Sequence, residues 1–509
     1  MKNKTSPIIS IKHNCPRHSC MLPVDFQDYN CELFSTSFRF LRFSAEYRNL
    51  LVLALHYVKD KTRIFLQWDA GIAKIANRHD VFNRRTHKFK LEDPLVGIPI
   101  FRACNGCIFV VLLLSLLLFQ CTKSDSADNT AKIVDSQPKL LSTTDNGMLE
   151  ITGEGEDQIH VLTVWGSSYE MGKAHGTLLK EQIKDHVNNM VKLMVEKSGQ
   201  PVEAMDHVFA ETKPFIPQHF LDEMQGLADG SGMPLQEIIR ANLIGEAGEW
   251  HCSLFGAWGK ATAADGHLYQ LRSLDYETGA NIQKYPLIVV YHPEEGIPFA
   301  NITWAGVVGC ISGISREQLA ISEIGDDYHK ESDTFAGIPF MFLLRDILQF
   351  DTSLDEAIDR VCSANRTTSL MYGIGDGELG ELRGLQTSHI ACNVFAPQNL
   401  EPLTDAHQRI DDVVYWGMSW DVPNYDGPLH DKLVEHYGSI NAEVTIKDIL
   451  PFVRTGNLQT VVYDLTDMAI WVANARADHE SGPLDAFDRQ YVKFQMNKLF
   501  AAADSLAKH

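Results

Sequence analysis

The chain has 509 residues, 45% of them apolar and 22% charged, an ordinary globular composition long enough for one large or two ordinary domains around a sizeable core. Its formal net charge of -21 leaves little basic surface to offset phosphate repulsion, which argues against a nucleic-acid partner. The ten cysteines are scattered, and the one close pair, Cys104 and Cys107, stands at the mouth of an apolar run with no second pair or histidine to complete a zinc site; neither metal nor cofactor is expected.

Residues 1–100 carry Cys15, Cys20 and Cys31 among mixed charges and aromatics without sustained periodicity, and read as an N-terminal extension outside the mature protein. From Phe101 the character changes. Arg102 precedes the apolar run Cys107 to Cys121, too short for a membrane span of about 20 residues but suited to the h-region of a signal peptide, about 7–15 residues. Its end at Cys121, followed by small polar residues, resembles a bacterial lipoprotein signal in which that cysteine is acylated, although Phe119 and Gln120 are bulkier than usual there. The other reading is an anchoring helix or a buried apolar segment. The first reading puts residues 101–121 in a signal peptide and the protein in the cell envelope, lipid-anchored or secreted, with membrane contact through that segment only. Residues 122–150, rich in Ser, Asp and Thr, read as a tether.

From about Ile151 to the C-terminus the chain reads as one folded unit. Apolar runs such as His160 to Trp165 and Leu287 to Tyr291 predict strands, and the stretches Lys180 to Lys197 and Ile338 to Phe350 predict helices. No internal repeat interrupts it.

The most informative stretch runs from Glu246 through His251 and Cys252 to Asp275. It predicts Cys252 at the head of a strand, a turn at Asp265-Gly266 and a returning strand that carries Arg272. Strict pairing about that turn sets Arg272 opposite Gly259, short of Cys252; an irregular first strand and a long guanidinium could close the gap. With Arg272 nearby, the cation favours the thiolate, the reactive species. A cut between His251 and Cys252 would expose an α-amine with a reference pKa of about 7.7–8.0, able to act as base for its own side chain. A lone cysteine at a strand start is otherwise more often a small buried hydrophobe.

Cys252, Asp265-Gly266 and Arg272-Ser-Leu-Asp275 resemble the nucleophile motif of the C45 peptidase family, which includes fungal acyl-CoA:6-aminopenicillanate acyltransferase and is related to bile salt hydrolases, penicillin V acylase and acid ceramidase. The resemblance extends to Tyr169 to Gly176 with Ile183, Glu223 to Gly232 and Asn242 upstream. Downstream it takes in Gly313 to Ser322, Tyr415 to Trp420 and Thr455 to Asp464. It implies an α+β fold, the four-layer αββα sandwich of N-terminal-nucleophile hydrolases, with residues 151–251 as a pro-segment and 252–509 as the nucleophile-bearing chain. It further implies self-cleavage at His251–Cys252, catalysis by Cys252 with Arg272 and Asp275, and a thioester acyl-enzyme formed from a small acyl amide.

Such chemistry needs oxyanion donors. Where the relatives often carry asparagine this sequence has Ser315 and Glu323, and a carboxylate donates only when protonated; Asn393 is a further candidate by position. His251 leaves with the pro-segment. Phe255, Trp258, Trp304, Trp416 and Trp420 divide between an acyl pocket and core packing. Cys310, Cys362 and Cys392 read as buried thiols, with a Cys310–Cys362 or other disulfide open in an oxidising compartment. Asp326, Asp327 and the run Asp376 to Glu381 read as solvated turns. Four functions fit: an amidohydrolase, an acyltransferase that delivers the acyl group to an amine co-substrate, a phospholipase B-like ester hydrolase, and a surface-anchored binding protein without catalysis.

Overall fold

The computed structural model describes residues 131–247, 251–396, 398, 407–418 and 424–507. The N-terminal extension, the apolar run with Cys121 and the first part of the expected tether lie outside the described residues. The rest of the tether is strand instead: β1 (Ile133–Asp135), then β2 (Lys139–Thr144) and β3 (Gly147–Thr152) paired as a hairpin through Asp145 and Asn146. Polar composition hid this hairpin, whose Asp-Asn-Gly is a turn signal. The described fold therefore already includes residues 131–150.

After β4 (Ile159–Gly166) come five helices, α1 (Ser168–Leu178), α2 (Lys180–Ser198), α3 (Ala204–Thr212), α4 (Gln218–Ser231) and α5 (Leu235–Asn242). Ser167 and Glu170 form a capping box that starts α1. The glycines of the two upstream motifs explain themselves in the contact between α1 and α4. A Cβ at Gly172 would stand 2.0 Å from the Glu223 carbonyl oxygen, and one at Gly226 2.0 Å from that of Tyr169; Gly176 and Gly230 repeat the pattern one turn on, at 2.5 and 2.3 Å from opposing carbonyls. The helices touch backbone to backbone, so no side chain can yield. Gly226→Ala should destabilise the fold by about 3 kcal/mol or more, whereas Gly427→Ala, whose Cβ would meet nothing within 4 Å, should be neutral. Urea midpoints of the two variants check this, and equal midpoints would refute the close approach.

The second part of the chain supplies β5 (His251–Ala257), β6 (Tyr269–Asp275), β7 (Pro286–Pro293), β8 (Phe299–Trp304), β9 (Gly313–Ser315), β10 (Leu319–Gly325), α6 (Phe340–Phe350) and α7 (Leu354–Ser363). It continues with β11 (Leu370–Asp376), β12 (Glu381–Thr387), β13 (Cys392–Phe395), β14 (Val413–Trp416) and α8 (Asp426–Glu435), and ends with β15 (Gln459–Asp464), β16 (Ala469–Asn474), β17 (Tyr491–Gln495) and α9 (Met496–Leu506). One sheet has the order β1-β17-β16-β15-β6-β5-β14, the other β13-β12-β11-β10-β9-β8-β7-β4-β3-β2.

Alternation along the strands decides the layers. Ile288 and Val290 of β7 pack with Val461, Ile470 and Phe494 of the smaller sheet. Their neighbours Leu287, Val289 and Tyr291 face helix residues such as Met171, Leu227 and Ile347. On the far side Phe255, Leu271 and Val462 meet Leu429 and Leu433 of α8 and Ile446 and Leu450 of the helical stretch that follows it. Because both faces of both sheets are covered, strands such as β7 read as continuous apolar runs. The fold is a four-layer αββα sandwich. Cys362 and Cys392 are disulfide-bonded, tying α7 to β13, and Cys310 is a free buried thiol; the Cys310–Cys362 pairing does not form. No helix among the described residues is long and apolar enough to cross a membrane.

Candidate active site

Leu254 faces Arg272, and Cys252 faces Leu274, a register different from the Gly259–Arg272 pairing expected about Asp265-Gly266. Residues 258–268 are not strand: Gly259 N–H donates to the Gly266 carbonyl and Ala263 N–H to the Ile440 carbonyl, forming a broad loop. The shift brings the arginine to within two residues of the position opposite Cys252. Directly opposed residues share a face, so Cys252, Leu254, Arg272 and Leu274 project together toward the larger sheet. Gly373 of that sheet lies against Leu254, where a Cβ would meet its methyl carbons at 3.3 and 3.4 Å.

Across the interface Arg272 Nη2 donates to Glu323 Oε2 at 3.1 Å, both side chains being buried. Glu323, by sequence a candidate oxyanion or substrate contact, stands here as the counter-charge to Arg272. Burial pushes its carboxyl up and Arg272 pulls it back. Arg272 Nε and Nη1 have no partner among the described residues, which leaves two donor nitrogens outside the ion pair.

Asp275 faces His251 in register, so the His251–Cys252 bond lies across the strand pair from Leu274–Asp275. The loop after residue 454, which sequence reasoning left without a role, holds this carboxylate. Thr455 Oγ1 donates at 2.8 Å, Gly456 N–H at 2.9 Å and Asn457 N–H at 2.9 Å. Tyr425 adds a fourth donor; burial pushes the Asp275 carboxyl up and these donors oppose it. Ser253 and Ser273 bind each other at 2.7 Å and Thr455 at 2.9 and 2.8 Å, which fixes the loop to the strands. Asn457 Oδ1 accepts from Tyr276 N–H at 2.8 Å; no bond is described for its amide nitrogen.

In the uncut chain Cys252 is fully buried. Burial pushes its thiol far up, while Arg272 and the main-chain N–H of Asp275 pull down and Glu323 and Asp275 push up. The cation expected to favour the thiolate is present, and burial outweighs it.

Other expected site residues lie elsewhere. Ser315 ends β9, and its Oγ accepts from Leu319 N–H at 3.2 Å within the β9–β10 turn. Asn393 stands on β13, the edge strand, three strands from the β10 that carries Glu323, and meets Gln386 at 3.5 Å. The aromatic residues divide between layers: Phe255 packs against the helices of the smaller sheet, Trp258 between the sheets, and Trp304 and Trp416 in the cluster under the larger sheet's helices. They do not line one pocket, and Trp420 lies outside the described residues. The His251 side chain is also outside them. Asp376 caps its turn by accepting from Glu378 and Leu379 N–H. The described His/Asp group close enough to share a cation, His267, Asp464 and Asp467, sits at the other end of β6 from Asp275, with Asp464 accepting from His267 and from Asp467 N–H.

No family model matches the chain. Protein dcd1B of Dictyostelium discoideum is 31% identical over 406 residues, covering 72% of this chain and 80% of the relative; protein dcd1A of the same organism is 30% identical over 443 residues, covering 78% and 99%. The chain belongs to the dcd1 family. Mouse N-acylethanolamine-hydrolyzing acid amidase is 27% identical to this dcd1-family chain over 207 residues, 39% of the chain and 52% of the relative. Rat acid ceramidase is 24% identical over 231 residues, and this similarity to amidohydrolases that act on carbon–nitrogen bonds supports the C45-like N-terminal-nucleophile hydrolase family for the chain. A solved Caenorhabditis elegans ortholog of that amidase aligns over 42% of the chain and 93% of its own length, with 17% identity and a TM-score of 0.34.

Proposed function

We propose that this chain is a self-processing cysteine amidohydrolase that cleaves a small linear or N-acyl amide. The observation that carries the reading is the convergence of Cys252, Arg272 and Asp275 at the start of β5, with the His251–Cys252 bond opposite Asp275. In self-cleavage, Cys252 Sγ adds to the His251 carbonyl carbon, the bond to the Cys252 nitrogen breaks with a proton passing to that nitrogen, and water hydrolyses the thioester. In turnover the freed α-amine takes the thiol proton, the thiolate adds to the substrate carbonyl, the amine product leaves protonated, and water releases the acid. The N–H groups of Arg272 Nε and Nη1 and the amide of Asn457 are the donors for the oxyanion in this reading. A buried thiol in the uncut chain agrees with a precursor that is silent until cut.

The two pieces would remain together without a covalent link. Glu223, before the cut, and Arg345, after it, form a buried ion pair at 2.6 Å; Tyr291 O–H donates to Glu223 at 3.0 Å, and Arg345 stacks over the Tyr291 ring at 4.4 Å. The His175 imidazole and the Asn242 amide of the pro-segment bind Gly306 from the other side of the cut. The Cys362–Cys392 bond supports an oxidising compartment, in keeping with secretion or anchoring at Cys121. Intact-mass measurement of the purified protein should show a C-terminal piece that begins at Cys252, co-eluting with the piece that ends at His251. A single uncut polypeptide with full activity would sink the reading.

A further inference from the structure

Strand β14 runs antiparallel to β5 with Trp416 opposite Leu254, so two residues further on Met418 comes opposite Cys252. The ladder stops there. Met418 has φ 54°, in the left-handed region, and is buried, a conformation that residues other than glycine rarely adopt and that surrounding structure must impose. Gly417 imposes it: its N–H donates to Asp426 Oδ1 at 3.2 Å, its carbonyl accepts from Tyr425 N–H at 2.8 Å, and a Cβ on it would stand 2.3 Å from Asp426 N. A continued strand would hand the Cys252 N–H to a main-chain carbonyl. Here the Met418 Sδ accepts it instead, at 3.2 Å.

We propose that Met418 is a positioning residue for the nucleophile's own nitrogen. This rests on the self-cleavage reading, in which that nitrogen becomes the base. A base must keep its lone pair available, and a carbonyl or carboxylate acceptor in this place would stabilise the ammonium form. A thioether is a weak acceptor: it holds one N–H in direction while giving the protonated amine little extra stability. The turn at Gly417 and Met418 replaces a strong acceptor by a weak one at the atom that must exchange a proton with Sγ.

The test compares Met418→Leu, of similar bulk but without an acceptor, and Met418→Gln, with a strong acceptor at similar reach, against wild type on an N-acyl amide of a fluorogenic amine. Intact mass establishes the cut in each and thermal melting the fold. Met418→Leu should lower kcat roughly ten- to a hundredfold at unchanged KM. Met418→Gln should move the acid limb of the kcat/KM profile to higher pH, because the ammonium is then stabilised. Cleaved variants with wild-type kcat and pH profile overturn the role of Met418 alone. An active wild type that keeps its His251–Cys252 bond overturns the self-cleavage reading and this inference with it. If Met418→Leu fails to fold, the pH profile of Met418→Gln decides.

Discussion

Cys252→Ala should leave the chain as one uncut polypeptide and abolish turnover, because one sulfur serves both reactions. Cys252 is the second residue of β5, buried, on the same face as Arg272 and opposite Leu274. Alanine removes only Sγ from a packed position next to Leu254 and Leu274, so the melting temperature should stay within a few degrees of wild type, and loss of activity is then chemical. Cys252→Ser keeps the shape and offers a hydroxyl, a poorer nucleophile near neutral pH, and should process and turn over slowly. Intact mass against time and hydrolysis of the same fluorogenic amide check both variants. An alanine variant with unchanged hydrolysis would move the active site away from β5.

Arg272→Ala should cost about 3–5 kcal/mol of stability, because it strands Glu323 as a buried carboxylate without its cation. Adding Glu323→Gln should return most of that stability, since the stranded charge is gone, but not turnover. Arg272→Lys keeps the charge and loses the planar fork whose Nη2 reaches Glu323 while Nε and Nη1 stay free; it should fold and lose most of its turnover. The sign for the thiol follows from the same geometry. Arg272 pulls the Cys252 thiol down, so its loss should shift iodoacetamide labelling of Cys252 in processed protein to higher pH. Labelling profiles that coincide with wild type, together with unaltered turnover, would make Arg272 a structural strand residue. Denaturant melts of the single and double variants read the ion pair independently of catalysis.

Short-range patterns in the sequence were enough for much of the fold and for bringing the candidate site residues together. The apolar run Leu287 to Tyr291 became β7, the stretch from Lys180 became α2, and Cys252, Arg272 and Asp275 stand on adjacent strands because they lie within a few tens of residues of one another around one connection. The motifs with Gly172, Gly176, Gly226 and Gly230 were legible as motifs, but their reason, two helices in backbone contact, belongs to the packing. Polar composition misread residues 131–150, where a hairpin signal outweighed the look of a linker. What the tertiary structure alone decided is which distant groups meet the strand pair. Glu323 arrives from the opposing sheet as partner to Arg272. Thr455 reaches Asp275 across 180 residues of sequence, and Met418 reaches Cys252 across 166. Register decided the rest, because the loop at residues 258–268 sets which residue faces Arg272. Local propensity fixes which face a side chain takes within its own strand. Which partner stands across from that face depends on long-range pairing and layer packing, and no spacing along the chain encodes it.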